Sequence, residues 1–283
     1  NATFEFKNKF FQNIVLQSTH LRKNIRFEND PFKKVQILTA LILSGLVFKE
    51  REENYNAAIK ELEKFIKIHF DRDGYPSSRS SEDLIFYTKY LILCHENIKD
   101  AQRYMPEFLD EIIKKNLECI KFLKTPDDQV PFFNGASESN LKYFDKYLEN
   151  FKVKKKEKTE TLGGLFFAKA KQQVFYIDVE GPPSKNFSRN YQSGPLSFEY
   201  FLDGLKIITN SGFGKNISSK AELVSRLTAS QSTLTINDTS VTKFERNKLI
   251  NRIFGNSIKN TFKTNDLKIK DDNDLVGCSI SHD

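Results

Sequence analysis

The sequence lacks an apolar run long enough to cross a membrane, and it has few cysteines. Its longest mostly apolar stretch, residues 37–48, has 12 residues, whereas a membrane-spanning helix needs about 20. The 3 cysteines, at positions 94, 119 and 278, are too few and too scattered for a disulfide scaffold or a cysteine-rich zinc module. We therefore expect a globular chain without a membrane-spanning segment and without a cysteine framework.

Sequence motifs for several common chemistries are also absent. The chain contains no phosphate-binding loop and no GxGxxG, HExxH, GxSxG or CxxC motif. Its 4 histidines, at positions 20, 69, 95 and 282, lie too far apart in the sequence to indicate a metal cluster. The residues therefore predict no cofactor and no metal site.

Charge and glycine are unevenly distributed along the chain. Residues 1–150 carry 23 basic and 23 acidic side chains, and residues 151–283 carry 21 basic and 14 acidic ones, so the second half holds the whole formal charge of +7. Glycine follows the same division, with 3 of 12 before residue 150 and 9 after it. This asymmetry predicts two domains, at residues 1–150 and 161–283.

The first half has the periodicity of amphipathic helices, in which apolar side chains recur three or four positions apart. The segments with this pattern are residues 10–22, 31–48, 56–70, 82–96, 109–123 and 141–151. Two longer connections, 71–81 and 125–139, carry polar and turn-forming residues, and such loops commonly hold functional groups. Consecutive antiparallel helices predict an α-bundle, a solenoid or a toroid.

A charged stretch, residues 152–158, separates this half from a region of period two. It lacks the aromatic or groove-reading partners of a nucleic-acid site, so we interpret residues 151–160 as a solvated linker. Alternating residues then predict strands at 165–170, 174–179, 196–202, 205–209, 232–236 and 275–280. No long helix separates these strands, which predicts an antiparallel all-β domain, arranged as a sandwich.

Polar side chains concentrate in four loops. These loops are residues 73–80, 131–135, 186–194 and 226–233, and together they hold Tyr, Arg, Asn, Gln and Ser side chains. Two interpretations are open for each of them. The loops form a site for a polar substrate, or they carry only local caps and turns at the surface.

The order of several short motifs resembles a known family, the heparinase II/III-like polysaccharide lyases. The segments that resemble its C-terminal domain are Gly181-Pro182-Pro183, residues 190–199, Asp203-Gly204, Asn210-Ser211-Gly212, residues 226–240 and His282-Asp283. In the helical half, residues 73–80 resemble the family's Asp-Gly-Gly-His-x-Ser-Arg segment, and residues 132–135 resemble its Leu-Phe-Asn-Gly segment. Because the last motif is cut off partway, we interpret the chain as a piece of a longer protein, with the β domain truncated.

The resemblance implies an incomplete (α/α) toroid followed by a C-terminal antiparallel β-sandwich. It also implies β-elimination at a uronic acid, in which the substrate carboxylate is neutralised, a base removes the C5 proton and an acid protonates the departing O4. The expected partner is an acidic polysaccharide or oligosaccharide and not a nucleic acid, and the basic second half suits an anionic glycan. The expected location is the cell envelope or periplasm, with the cytoplasm as the alternative, and the oligomeric state stays open.

The resemblance also assigns roles to particular residues. The expected catalytic residues are Tyr75, Asn134, Tyr191 and Gln192, and the expected substrate-binding residues are Arg79, Arg189, Asn190, Arg226 and Gln231. One of the two tyrosines is expected to act as the base or the acid. Asn134 and Gln192 are expected to hold the substrate carboxylate, and the arginines are expected to orient it.

The sequence departs from the family at several of these positions. Gln192 replaces a common catalytic histidine, and Ser193 and Gln231 replace an aspartate often associated with zinc and a second histidine, so no zinc site is expected. Tyr75-Pro76 replaces a Gly-His pair, and Asp83 stands near the position of a family tyrosine. Because an amide does not titrate, Gln192 cannot act as a base. The expected function is therefore a lyase of uronic-acid glycans or, as the alternative, a catalytically impaired protein that binds anionic glycans or assembles envelope polysaccharides.

Overall fold

The chain forms two compact units in the computed structural model, which describes residues 3–153, 159–247, 249–251, 256–272 and 275–282. The first unit consists of Asn1–His69 and Ile85–Ile113, and the second consists of Phe70–Leu84 and Lys114–Asp283. Helices occur in both units, whereas the two antiparallel sheets lie in the second.

The predicted helices are confirmed, with limits that differ by a few residues. They are α1 (Phe4–Asn24), α2 (Pro31–Val47), α3 (Glu52–His69), α4 (Ser81–Asp100), α5 (Glu107–Leu123) and the short α6 (Asp145–Asn150), which a 3₁₀ turn at Leu141–Phe144 precedes. α1 begins at Phe4 rather than at residue 10 because the Thr3 side chain caps it, accepting a hydrogen bond from the Phe6 backbone N–H at 3.2 Å. Asp30 caps α2 in the same way.

The core of the first unit is built by α2 packed against α3. The fully buried apolar side chains of these helices include Val35, Leu38 and Ile42 of α2 and Ala58 and Leu62 of α3. The two helices approach closely at Gly45, where a Cβ atom would lie 2.5 Å from the Tyr55 backbone nitrogen. A larger residue at position 45 would therefore push α2 and α3 apart.

Five antiparallel strands form the larger sheet of the second unit, and they follow each other in chain order. They are β1 (Thr159–Leu162), β2 (Leu165–Ala170), β3 (Gln173–Asp178), β4 (Phe198–Leu202) and β5 (Leu205–Ile208). Side chains alternate between the two faces of a strand, and in β3 the buried positions are Val174, Tyr176 and Asp178. A carboxyl group therefore lies at a buried position at the end of β3.

A second antiparallel pair consists of β6 (Thr264–Asp272) and β7 (Leu275–His282). Cys278 and Ile280 of β7 pack against a cluster that includes Phe166 and Ala168 of β2. A short helix, α7 (Ser219–Ser225), lies between β5 and β6 in the sequence, and the Ser218 side chain caps it. The sequence patterns do not predict β1, β6 or α7, because these segments are short or mostly polar.

The predicted strand at residues 232–236 is wrong. Apart from a single bridge between Ile236 and Thr239, these residues are bends and irregular chain. The Ser232 backbone N–H donates to Asn210 Oδ1 at 2.9 Å, and Ser232 Oγ accepts from the Phe198 backbone N–H at 3.1 Å. One backbone hydrogen bond, from the Phe198 N–H to the Ser232 carbonyl at 3.4 Å, accompanies these side-chain bonds, and no regular ladder forms over the described residues of the segment.

The predicted strand at 196–202 is confirmed only from Phe198 onward. Leu196 has a φ of +57°, which lies in the left-handed region and ends the extended conformation. The predicted linker at 151–160 falls partly outside the described residues, because it includes residues 154–158. The predicted strand end at His282-Asp283 does so as well, because it includes residue 283.

The domain limits at residues 150 and 161 stay a prediction, since the second compact unit contains both helical segments and the sheets. Within the ranges that the structure describes, no helix has the length and apolar character of a membrane span.

Candidate functional site

The loop between α3 and α4 carries Tyr75 into the interior of the second unit. The Tyr75 backbone N–H donates to Asp71 Oδ1 at 2.8 Å, and the Asp71 backbone N–H donates to the Tyr75 carbonyl at 2.8 Å. The Tyr75 ring is buried and lies against Gly163, where a Cβ atom would come within 2.6 Å of the ring. Burial raises the pKa of Tyr75, so its hydroxyl keeps its proton at neutral pH.

Arg79, at the end of the same loop, uses all its hydrogen-bond donors inside the protein. Nη2 donates to Asp178 Oδ1 at 2.5 Å and to the Gly164 carbonyl at 3.2 Å. The remaining donors reach the carbonyls of Gly163 (Nε, 3.3 Å), Glu180 (Nη1, 3.1 Å) and Gly181 (Nη1, 2.5 Å). A guanidinium has five N–H donors, so none is left for a substrate, and we revise the predicted role of Arg79 from substrate contact to structural cross-link.

Asp178 is the centre of this network, and its side chain is only 2% exposed. Burial raises the pKa of Asp178, whereas the Arg79 guanidinium, the Glu180 backbone N–H and the Asn134 side chain each favour the charged form. Arg79 Nη2 and Asp178 Oδ1 form a buried ion pair at 2.5 Å, in which the guanidinium keeps its proton. Asp178 is not among the residues that the sequence predicts for the site.

The loop at residues 131–135 brings Asn134 to the same carboxyl group. Asn134 has a φ of +51° and Gly135 a φ of +91°, and these two residue types adopt such left-handed conformations most readily. The Asn134 side chain faces Asp178, and Asn134 as a whole is only 3% exposed. Among the described residues its Nδ2 makes no hydrogen bond of ordinary geometry. Asn134 therefore keeps a donor that the protein does not use.

Gln192 connects three segments of the second unit through its side-chain amide. Its Oε1 accepts from the Gly135 backbone N–H at 2.9 Å, and its Nε2 donates to the carbonyls of Gly212 at 2.9 Å and Ser225 at 2.8 Å. The neighbouring Asn190 is buried, and a Cβ atom at Gly135 would come within 2.8 Å of the Asn190 Cβ. Both amide hydrogens of Gln192 are used, so we revise its predicted role from carboxylate binding to loop positioning.

Tyr191 lies between Asn190 and Gln192, and its side chain is directed into a small core with Ile258 and Phe262. Its residue is 1% exposed, and within the described part of the chain its hydroxyl faces the Thr242 side chain without a hydrogen bond of ordinary geometry. Burial raises the pKa of Tyr191, the Asp178 charge raises it further, and the Arg79 charge lowers it. Tyr191 is therefore a neutral hydroxyl within electrostatic reach of the buried ion pair.

Arg226 follows α7 and is also buried, with 1% exposure. Its Nε donates to the Tyr191 carbonyl at 2.9 Å, its Nη2 donates to the Ser188 carbonyl at 3.1 Å, and its guanidinium carbon lies 4.1 Å from the centre of the Phe244 ring. Over the residues described, no carboxylate lies within ion-pair distance of Arg226. Burial lowers the pKa of Arg226 to about 10. In contrast to Arg79, this guanidinium keeps unused donors.

Positions 193 and 231 do not fit a zinc ion. Ser193 Oγ shares a hydrogen bond with Thr228 Oγ1 at 2.9 Å and accepts one from the Thr242 backbone N–H at 2.8 Å, and Gln231 Nε2 donates to the Ser225 carbonyl at 2.7 Å. Zinc is bound in proteins by thiolates, imidazoles and carboxylates, and neither residue offers one. In the described ranges, His, Cys, Asp and Glu do not form a group of three that could hold a metal ion.

The structure thus places all nine predicted site residues in the second unit. Those that meet around Asp178 or on the loops that enclose it are Tyr75, Arg79, Asn134, Asn190, Tyr191 and Gln192. Arg226 and Gln231 border this cluster through the backbones of Tyr191 and Ser225, whereas Arg189 is exposed. The signal for Asp178 was present, because an acidic residue at a buried position of an alternating strand must have a partner.

Residues 158–283 match a protein-family model described as Heparinase II/III-like, C-terminal. The resemblance found in the sequence is confirmed for this part of the chain. A comparison with curated proteins gives no significant match.

Solved lyase structures share the fold. A mutant of the heparan sulfate lyase HepC from Pedobacter heparinus matches with a TM-score of 0.75 and 14% identity, over 98% of this chain and 45% of that chain. Heparinase III matches with a TM-score of 0.66 and 16% identity, over 84% of this chain and 44% of that chain. This chain therefore spans less than half the length of the solved structures that it matches.

Proposed function

We propose that the protein is a polysaccharide lyase that cleaves uronic-acid-containing glycans by β-elimination. The observation that carries the proposal is the match of residues 158–283 to the heparinase II/III-like model. Several buried side-chain atoms of the second unit make no hydrogen bond of ordinary geometry to the described residues, and Asn134 Nδ2 and Tyr191 OH are among them. Both belong to residues that the sequence resemblance selects.

The architecture that goes with this proposal is an incomplete (α/α) toroid over residues 1–150, followed by an antiparallel β-sandwich over residues 161–283. The antiparallel order β1–β5 and the packing of β7 against β2 support the sandwich. The fold similarity to the two lyases supports the order of the helical and β parts.

In β-elimination negative charge develops at two places, the uronate carboxylate and the departing O4, and side chains of the cluster can stabilise or neutralise it. As the base removes the C5 proton, negative charge builds on the uronate carboxylate, and a hydrogen-bond donor stabilises it. The C5–H electrons then form the C4–C5 double bond while the C4–O4 bond breaks, and an acid protonates O4. The donor proposed for the carboxylate is Asn134 Nδ2.

Tyr191 suits the role of the acid better than that of the base. Its raised pKa keeps the hydroxyl protonated at neutral pH, so it can give a proton to O4 but rarely exists as a phenolate. Tyr75 has the same property. Both are covered in this structure, so the proposal requires that the enclosing loops open when a sugar binds.

The experiment that tests the proposal is an absorbance assay of the full-length protein with alginate, heparinoids and bacterial capsular uronates. A lyase produces an unsaturated uronate, so ultraviolet absorbance rises with time. A boiled sample and Asn134→Ala serve as controls. Absence of the signal with every polymer would overturn the proposal.

A second candidate function is binding of an anionic glycan without cleavage, as in the assembly of cell-envelope polysaccharides. The observation that favours it is the structural use of Gln192, which holds loops together and cannot take up a proton. Binding without product, lost in Arg226→Ala and kept in the exposed-lysine variant Lys169→Ala, would support this function over the first.

The proposed location is the cell envelope or periplasm, with the cytoplasm as the alternative, and the proposed partner is an acidic polysaccharide rather than a nucleic acid. Competition of DNA against a uronate oligosaccharide at one fixed salt concentration tests the partner, because electrostatic binding to DNA depends strongly on salt.

A further inference from the structure

The exposure of the side chains of β5 is the reverse of what their polarity predicts. The apolar side chains of Leu205, Ile207 and Ile208 are exposed, whereas the Lys206 side chain is only 18% exposed. Lys206 pairs with Phe201 of β4, and side chains opposite each other in an antiparallel pair lie on the same face of the sheet. Because Phe201 is fully buried, the Lys206 side chain is directed to the interior. A lysine in such a position needs partners that compensate its charge.

Glu199 of β4 supplies a carboxylate on the same face, and it is 0% exposed. Its Oε1 accepts hydrogen bonds from Thr209 Oγ1 at 2.8 Å and from the Asn210 backbone N–H at 3.0 Å. Its Oε2 makes no hydrogen bond of ordinary geometry to the described residues, and Lys206 Nζ lies 3.8 Å from it. One carboxylate oxygen is therefore fixed by the chain that follows β5, and the other faces the ammonium group.

The ammonium group of Lys206 also lies against the loop at residues 131–135. Nζ is 3.8 Å from the centre of the Phe132 ring and 5.4 Å from the centre of the Phe201 ring. A cation within about 6 Å of a ring centre is attracted by the π electrons of the ring. The Phe132 ring is also close to Gly212, where a Cβ atom would lie 3.5 Å from Phe132 Cδ2. The loop is therefore held at Phe132 by a cation that does not belong to it.

The other end of the same loop is held by Gln192. The Gly135 backbone N–H donates to Gln192 Oε1 at 2.9 Å, and Gln192 Nε2 donates to the Gly212 carbonyl at 2.9 Å. The loop therefore has one anchor on each side of Asn134, a hydrogen bond at Gly135 and the ammonium group at Phe132.

We propose that Lys206 is a positioning residue that holds Phe132, and with it the loop at residues 131–135, in the conformation of the site, with Glu199 as its anchor. The consequence for turnover rests on the proposed lyase function, whereas the consequence for the loop does not. A lysine that only stabilises the fold would affect the sheet and the loop together. A positioning lysine acts selectively on the loop.

Amide hydrogen exchange separates these two roles, because it reports the opening of each segment of a folded protein separately. The amides to follow are those of Phe133, Gly135 and Ala136, which are hydrogen-bonded in the structure. We expect Lys206→Met to lower their protection about 10-fold, as for the loss of a partly buried cation–π contact. The protection of the β2 and β3 amides is expected to change less than about 2-fold. Unchanged protection of the loop, or an equal loss in the sheet, would overturn the inference.

Lys206→Arg is the rescue variant, because a guanidinium keeps the charge and the attraction to aromatic rings. We expect its loop protection to stay within about 3-fold of the wild type. Lys169→Met is the matched control, since Lys169 is an exposed lysine of β2, and we expect it to leave the loop unchanged. An arginine variant with a loop as poorly protected as in Lys206→Met would contradict the inference, and so would a loss of that size in Lys169→Met.

Phe132→Leu removes the aromatic ring and keeps the ion pair of Lys206 with Glu199, so it serves where Lys206→Met does not fold. We expect it to lower the protection of the Gly135 and Ala136 amides about 10-fold as well. Protection equal to that of the wild type would show that the ring contact does not hold the loop, and the inference would fail.

The effect on turnover is measured with the polymer that the wild type cleaves best. We expect Lys206→Met to lower kcat about 10-fold with KM within about 2-fold, because a displaced loop misplaces groups around the reacting bond. Lys206→Arg is expected to recover kcat to within about 3-fold of the wild type. An unchanged kcat in a variant whose loop is less protected would overturn the positioning role. Absence of cleavage by the wild type would instead refute the proposed function, and hydrogen exchange would still decide whether Lys206 holds the loop, so the two failures are distinguishable.

Discussion

Arg79 and Arg226 are both buried arginines of the second unit, yet their surroundings differ in kind. Arg79 has a carboxylate partner and four carbonyl acceptors, which use all its donors. Arg226 has two carbonyl acceptors and the face of Phe244. Burial tends to lower the pKa of Arg79, but Asp178 and Glu180 outweigh it and raise the pKa; for Arg226 burial prevails and lowers the pKa to about 10.

This difference in donor use distinguishes a buried charge that holds the fold together from one that is available to a ligand. A cation whose donors are all used inside the protein holds the fold together, and its removal leaves a buried anion without a partner. A buried cation with unused donors and no anion has a free energy cost that an anionic ligand could offset. The comparison therefore indicates a structural role for Arg79, and we propose Arg226 as the arginine of the pair that meets an anionic substrate.

The largest expected effect is that of Arg79→Met on stability. The change leaves Asp178 charged and buried and leaves four carbonyls without their donor, so we expect a loss of about 3–5 kcal/mol in the free energy of unfolding. Urea titration followed by circular dichroism measures it. A loss below about 1 kcal/mol would mean that Arg79 is not the cross-link described here.

The next effect concerns Gln192, another group whose donors are all used. We expect Gln192→Ala to cost about 2–3 kcal/mol, because the Gly135 N–H loses its acceptor and a cavity forms. The control is Gln231→Ala, which removes one hydrogen bond, to Ser225, and should cost about 1 kcal/mol. Equal losses in the two variants would contradict the structural role of Gln192.

Asp83 shows what a buried carboxylate costs when burial outweighs the nearby Lys215 charge. Burial raises its pKa from 3.8 to about 6, although Ser78 opposes the rise. Because the folded pKa exceeds the unfolded one, its contribution to stability is fully present below about pH 4 and is lost as the pH rises through 6.

We therefore expect Asp83→Asn to gain up to about 3 kcal/mol relative to the wild type between pH 4 and pH 8. Urea unfolding of both proteins across this range measures the difference. A difference that does not change with pH would show that Asp83 titrates normally.

A small stability effect of about 1–2 kcal/mol is expected for Arg226→Met, since it removes two hydrogen bonds but also a buried charge. Its effect on binding should be larger than that on the fold. We expect the Kd for a uronate oligosaccharide to rise at least 10-fold, as for the loss of a charge-assisted hydrogen bond. Calorimetry with Lys169→Ala as the control measures this, and an unchanged Kd would remove Arg226 from the site.

The sequence allowed the secondary structure to be predicted better than the contacts within the site. Helical spacing identified α2 to α5, and alternation identified β2 and β3, because both patterns follow from burial of one face. The segment 232–236 has the same alternation, but its hydroxyls bond to Pro195, Phe198 and Asn210, and the segment does not pair as a strand. The position of Asn134 could be predicted from its loop, whereas the contact of Arg79 with Asp178 joins residues 99 positions apart, which local patterns do not reveal.

The most direct test of the account is mass spectrometry of the oligosaccharides released from a uronate polymer by the wild type and by Asn134→Ala. β-Elimination gives fragments with a new non-reducing end that is lighter by one water molecule than a hydrolysis product. We expect these lighter fragments from the wild type, and about 100-fold less of them from a folded Asn134→Ala. Fragments of hydrolysis mass, no fragments at all, or equal yields from the two proteins would contradict the account.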